Sequence, residues 1–144
     1  MIAKAASSET GHRLFLDANV LFSAAYRAGA GVERLWMLGA SVTLLSSPYA
    51  IEEARRNLLD AAARERLERI ADGIETVADV GEGTLPNGIE LPVKDRPILL
   101  AALAAGATHL LTGDRAHFGP FFGQQVSGVR VERPGDYLRR EHRW

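Results

Sequence analysis

The chain contains no cysteine. This excludes disulfides, thiolate zinc sites and cysteine nucleophiles, and gives no sign of an oxidising compartment. No apolar run approaches the roughly 18 residues of a membrane span. The first residues lack the apolar core of a secretory signal, so a cytoplasmic protein without membrane attachment is expected. Charge of one sign is also missing: 17 basic and 18 acidic side chains leave a formal net charge of −1. A protein-wide basic surface for nucleic acid is therefore excluded, and a polyanionic partner would need a local patch. Neither a Gly-rich phosphate loop nor a dinucleotide fingerprint occurs.

What is present is the composition of one globular domain: 144 residues, 47% of them hydrophobic, enough to bury a core without covalent staples. Residues 1–12 carry no periodicity and read as a flexible N-terminal tail, leaving residues 13–144 as a single domain. Short apolar or β-branched runs predict strands at Arg13–Asp17, Val42–Leu45, Ile74–Val80, His109–Thr112 and Val129–Val131. Between them, helical spacing predicts helices over Ala18–Ala28, Gly31–Leu38, Ser47–Leu58, Ala61–Ile70 and Ile98–Ala105, with a last one over Pro134–Arg140. Ser47-Pro48 is a helix opening: Ser caps well, and Pro is tolerated at the first helical position. Gly81–Val93 is a long loop rich in Gly and Pro. Phe118, Phe121 and Phe122 are expected to plug a hydrophobic edge. Strands alternating with helices predict a mainly parallel sheet covered by helices, a three-layer α/β/α sandwich.

Three acids occupy equivalent places in that scheme. Asp17 ends the first strand, Asp114 follows the strand His109–Thr112, and Asp95 precedes the helix that feeds that strand. In a parallel sheet, strand carboxyl ends and the following helix N-termini share one edge. Asp95 joins the others only if the loop before it returns there. Glu53, one turn inside its helix, could point across the same edge. Asp17 could equally serve as a helix cap. Two carboxylates about 5 Å apart repel by roughly 3 kcal/mol at an effective dielectric near 20, so converging acids call for a cation. Oxygen ligands suit a hard ion, Mg²⁺ or Mn²⁺. Without Cys or paired His at zinc spacing, zinc is a poor alternative.

Four stretches now resemble the motifs of PIN-domain nucleases, in order and over nearly the whole chain. They are Leu14-Phe15-Leu16-Asp17-Ala18-Asn19-Val20-Leu21, Ser47-Pro48-Tyr49-Ala50-Ile51-Glu52-Glu53-Ala54, Lys94-Asp95-Arg96-Pro97-Ile98 and Leu110-Leu111-Thr112-Gly113-Asp114-Arg115. The resemblance implies a Rossmann-like fold and a Mg²⁺- or Mn²⁺-dependent endoribonuclease. It assigns catalysis and metal ligation to Asp17, Glu53, Asp95 and Asp114, with Asn19 and Thr112 in support. Glu53 is chosen over its neighbour Glu52 because it lies six residues after Ser47. Pro97 departs from the family pattern. Many bacterial members of this length are toxins of the VapC type, dimeric and paired with an antitoxin, so an antitoxin partner and a homodimer are expected.

Arg96 and Arg115 neighbour proposed ligands and are candidates for RNA phosphates; ion pairs or solvation would explain them equally. Arg55 and Arg56 read first as a solvated helix face. His117 is either a proton carrier beside Asp114 or a packing residue. Tyr26 and Tyr49 could stack bases, though core or dimer packing would serve too. The alternative to a nuclease is a catalytically weak PIN-like module that binds RNA or protein. A haloacid-dehalogenase-type phosphatase fits poorly, because Asp17-Ala18-Asn19 lacks the second acid of that family's opening motif.

Overall fold

A computed structural model describes residues 8–142 of the chain. Its centre is β1 (His12–Leu16), whose Leu14, Phe15 and Leu16 are fully buried. A continuous apolar run of this kind suits a parallel strand covered on both faces. On one side β1 pairs in parallel with β2 (Val42–Ser46), and β2 pairs with the two-residue β3 (Glu75–Thr76). On the other side β1 pairs in parallel with β4 (His109–Leu111), which pairs with β6 (Val129–Glu132). The order is β3-β2-β1-β4-β6-β5, with β5 (Gln124–Val126) the antiparallel edge. The chain thus winds outward from β1 one way, then returns to start again beside it. The switch lies between β1 and β4, and a crevice opens outside the carboxyl ends of strands at such a point. Asp17 N–H donates to Leu111 C=O at 3.1 Å, so the residues leaving β1 and β4 start from one level.

Helices flank this sheet: α1 (Ala18–Tyr26), α2 (Pro48–Asn57), α3 (Ala61–Ala71), α4 (Arg96–Ala104) and α5 (Pro134–His142). Ser47 Oγ accepts from Ala50 N–H and Pro48 stands in the first turn of α2, as the Ser-Pro pair predicts. Among the described residues no helix is long and apolar enough to cross a membrane.

Several elements differ from expectation. Residues 1–7 of the expected tail lie outside the described residues. From Glu9 onward the backbone is already bonded, to Ala40 and Ser41, and β1 starts at His12. Gly31–Ser41 is 3₁₀ rather than α, and Gly39 (φ 55°) breaks it. The strand expected over Ile74–Val80 shrinks to Glu75–Thr76 at the sheet edge. The fourth helix begins at Arg96, two residues early, because Pro97 fits its first turn. β5 was not foreseen. It is made by a hairpin in which Val126 pairs with Val129 around Ser127 and Gly128, both at positive φ. Only a turn of the primed type joins strands with two residues in that conformation, and Gly suits its second position.

Running back from the end of β6 toward the start of β1, α5 is pinned to the sheet. Tyr137 is fully buried and its hydroxyl lies 2.7 Å from His12 Nδ1. The His109 ring packs edge-on against Tyr137 at 5.0 Å. Buried Glu132 takes two hydrogen bonds from the Arg140 guanidinium. Burial, helped by His12 and opposed by Glu132, pushes His109 from 6.5 down to about 4. The unfolded chain therefore takes up a proton from about pH 6.5 downward that the folded chain refuses until about pH 4. Stability contributed by neutral His109 is complete above that window and is lost as pH falls through it, by about 3 kcal/mol in all. Replacing His109 by Phe is expected to flatten this part of the pH dependence, read as urea midpoints at pH 4.5 and 7.5. An unchanged slope would refute the assignment.

Candidate metal centre

Each proposed ligand is placed by a local device. Asp17 follows β1 directly and is 5% exposed. Its Oδ1 accepts from Ala18 N–H at 2.6 Å, and its Oδ2 accepts from Thr112 Oγ1 at 2.8 Å and Asn19 Nδ2 at 3.1 Å. Burial raises Asp17 from 3.8 to about 6; the Thr112 and Ala18 hydrogen bonds oppose this, while Asp95 and Asp114 add to it. Thr112, fully buried after β4, also accepts from Asp114 N–H at 3.1 Å. Asn19 Oδ1 accepts from Gly113 N–H at 2.8 Å. Thr112 and Asn19 thus tie the loop after β4 to the carboxylate after β1.

Asp95 ends a 3₁₀ turn (Val93–Asp95) and sits at the N-terminus of α4. The preceding loop, anchored by buried Leu91, does bring it back to the edge of Asp17. Burial raises its pKa, with His117 opposing and Asp114 adding. Asp95 Oδ2 is the one buried side-chain oxygen or nitrogen among the described residues without a hydrogen bond. It lies 2.8 Å from His117 Nδ1, but that nitrogen carries one proton at most, and it makes its hydrogen bond to Asp114 Oδ2 at 3.0 Å. Asp114 Oδ1 in turn accepts from His117 N–H at 3.1 Å, which holds the turn that carries the imidazole.

The four acids line one cavity of about 420 Å³, together with Asn19, Tyr49 and Lys94. Asp95, Asp114 and His117 each bring a donor atom within 4.8 Å of the others; Asp17 is outside that group, held by its own hydrogen bonds, but feels the charges of Asp95 and Asp114. The Glu53 carboxylate is paired with Arg56 at 2.5 Å. Glu52 pairs with Arg55 and is not among the cavity-lining residues. The two arginine candidates fall elsewhere. Arg96 Nε donates to Leu91 C=O and lines a neighbouring cavity, and exposed Arg115 lines neither.

Three participants were missed or undervalued from sequence. Lys94 is the cation that lines the cavity, and its place beside Asp95 was the available signal. Tyr49 lines the same wall and its hydroxyl donates to Lys94 C=O at 2.7 Å. Burial and the field of Glu53 and Asp95 raise its pKa. His117, for which the sequence leaves proton transfer and packing both open, stands between two of the acids.

This donor set fits a hard divalent cation. The charges of Asp95 and Asp114 help to raise the Asp17 carboxyl, that of Asp114 helps to raise Asp95, and one buried oxygen of Asp95 has no hydrogen bond. A cation supplies what these groups lack.

The sequence matches no protein-family model and no curated protein. The fold is shared with a solved structure, a chain of VapBC2 from Rickettsia felis bound to a DNA fragment from their promoter. The TM-score is 0.62 at 16% identity, over 84% of this chain and 98% of that one.

Proposed function

We propose that this chain is a divalent-cation-dependent endoribonuclease of the PIN-domain kind that hydrolyses RNA phosphodiester bonds in the cytoplasm. The observation that carries the reading is the convergence of Asp17, Glu53, Asp95 and Asp114 on one cavity at the switch point, where a buried oxygen of Asp95 makes no hydrogen bond and faces the His117 ring nitrogen at 2.8 Å. Asp95 and Asp114 would hold a Mg²⁺ or Mn²⁺ ion, with Asp17 on its hydrogen-bonded platform and Glu53 once it leaves Arg56. When bound, such an ion supplies Lewis acidity toward water and a phosphodiester oxygen. The chain's own part is positional. Thr112 and Asn19 keep Asp17 and the Asp114 loop in register, and Lys94 offers positive charge to a phosphate on the cavity wall.

The RNA strand has a path to the cavity. A second cavity of about 580 Å³ adjoins the first at Phe22, and its lining includes Arg27, Arg34 and Arg139 but no acid. Phe22 and exposed Tyr26 stack there at 5.3 Å between ring centres, a surface suited to a base. Arg27→Ala is expected to raise KM several-fold and lower the salt dependence by about one phosphate contact, leaving kcat within about twofold. An unchanged KM would remove this groove from the substrate path.

The toxin role rests on the resemblance of the four motifs to toxins of the VapC type: the chain works with an antitoxin protein and as a homodimer, sedimenting at twice its 15.6 kDa. The test of the enzymatic reading is cleavage of a mixed, end-labelled RNA pool with Mn²⁺, Mg²⁺ or EDTA, beside Asp114→Asn. Cleavage that needs the cation and is lost in the variant is expected. Folded protein that retards RNA without cutting it under any cation would favour the binding-module reading instead.

A further inference from the structure

His117 brings one ring nitrogen against two carboxylates at once. Its Nδ1 lies 2.8 Å from Asp95 Oδ2 and 3.0 Å from Asp114 Oδ2. A single N–H makes one directed hydrogen bond, here to Asp114, and leaves Asp95 Oδ2 buried without a hydrogen bond of its own. Two carboxylate oxygens and a nitrogen converging on one point suit a particle that accepts donors from several directions. Bonds of about 2.1 Å at right angles set neighbouring donors about 3 Å apart, and the two nitrogen–oxygen spacings here are 2.8 and 3.0 Å, with all three donor atoms within 4.8 Å of one another. The imidazole is also held there from two sides. Asp114 Oδ1 accepts from the His117 backbone, and the next residue, Phe118, is buried in the core.

We propose that when the cation binds, the His117 imidazole carries its proton on Nε2 instead of Nδ1, the hydrogen bond to Asp114 is given up, and the freed Nδ1 lone pair becomes a ligand to the cation held by Asp95 and Asp114, giving the centre a mixed nitrogen–oxygen donor set. The inference rests on the cation-dependent reading above and adds a selectivity to it. Mg²⁺ takes oxygen ligands and gives up water reluctantly, whereas imidazole suits first-row transition ions. A nitrogen at this position therefore favours Mn²⁺ over Mg²⁺, and a centre of carboxylates alone would not discriminate in that way.

The test uses the purified full chain, with Mn²⁺ and Mg²⁺ titrated separately by calorimetry and pulsed electron paramagnetic resonance on the Mn²⁺-loaded protein. The spectrum of the unaltered chain is expected to carry ¹⁴N modulation from a directly bound nitrogen. In His117→Ala that modulation vanishes. Losing an outer-shell partner already costs 10–100-fold in metal affinity, so Mn²⁺ binding is expected to weaken at least about tenfold, with Mg²⁺ changing less than about threefold. His117→Gln, which keeps a polar side chain but no imidazole, is expected to behave as the Ala variant does. Mn²⁺ bound without ¹⁴N modulation in the unaltered chain would overturn the inference and leave the acid centre standing. Affinities that fall equally for both ions in His117→Ala would also overturn the selectivity. No binding of either ion by the unaltered chain would instead sink the cation reading itself, and this inference with it.

Discussion

Asp17→Asn is expected to abolish RNA cleavage and, in chelator, to make the folded chain more stable. Activity should drop by roughly 10³-fold or more, the scale of losing a residue that acts as part of a catalytic unit. The stability gain follows from the direction of the pKa shift. Asp17 is buried beside Asp95 and Asp114, and its carboxyl is raised from 3.8 to about 6. Between those values the folded chain holds a proton that the unfolded chain has released. Stability contributed by the protonated group is therefore complete below about pH 4 and is lost as pH rises through about 6. The full loss is about 3 kcal/mol, and Asn does not incur it. Part of the gain is offset, because an amide at this position turns an N–H toward Asn19 Nδ2, which now donates to Asp17 Oδ2. The same N–H also faces the Thr112 hydroxyl that donates to Asp17 Oδ2, and two donor–donor conflicts of about 1 kcal/mol each leave a net stabilisation of about 1 kcal/mol at pH 7.5. Urea denaturation at pH 5 and 7.5, with EDTA and with Mn²⁺, reads both parts. The variant's advantage should vanish at pH 5 and reverse with Mn²⁺. A variant less stable than the parent in EDTA at pH 7.5 would mean that Asp17 serves mainly as a structural acceptor.

Thr112→Val tests the support beneath the acids. The substitution keeps the shape and removes one hydroxyl that donates to Asp17 Oδ2 and accepts from Asp114 N–H and Asn19 Nδ2. Thr112 is fully buried, so water cannot replace it. The orphaned groups are expected to cost about 1–3 kcal/mol of stability. They also loosen the link between the two strand ends. Cation affinity and cleavage should each fall about 10–100-fold, the usual effect of removing a partner of a metal ligand. Loss of stability with unchanged cation affinity would confine Thr112 to the fold.

Much of this arrangement was legible because a parallel sheet sorts residues by edge. Asp17 and Asp114 each stand just past an apolar strand, and β1 and β4 are neighbours. Position along the chain was therefore enough to place both at one crevice. Asp95 was harder, since its place depends on where a long loop returns, and nothing local to Asp95 encodes that. Its anchor is Leu91, whose burial is a property of the packed fold. The side-chain orientations were not legible at all. Glu53 reaches the cavity wall but turns its carboxylate to Arg56, one helical turn on, as any such pair on an exposed face can do. Arg96 bonds back to the loop, and Lys94 takes the cavity wall. His117 reaches two acids only because Asp114 caps its own turn. The edge elements escaped for a related reason. β5 and β3 are too short to show a period, and the turn at Ser127 and Gly128 is recognised by its dihedral angles.

The central claim is that the acids at the switch point share a cation. Anomalous diffraction from crystals grown with Mn²⁺ tests it most directly. The account predicts a Mn²⁺ peak in the cavity, within bonding distance of Asp95 and Asp114. A fully occupied Mn²⁺ elsewhere on the chain, with this cavity holding only water and the Asp95–His117–Asp114 contacts unchanged, would contradict it.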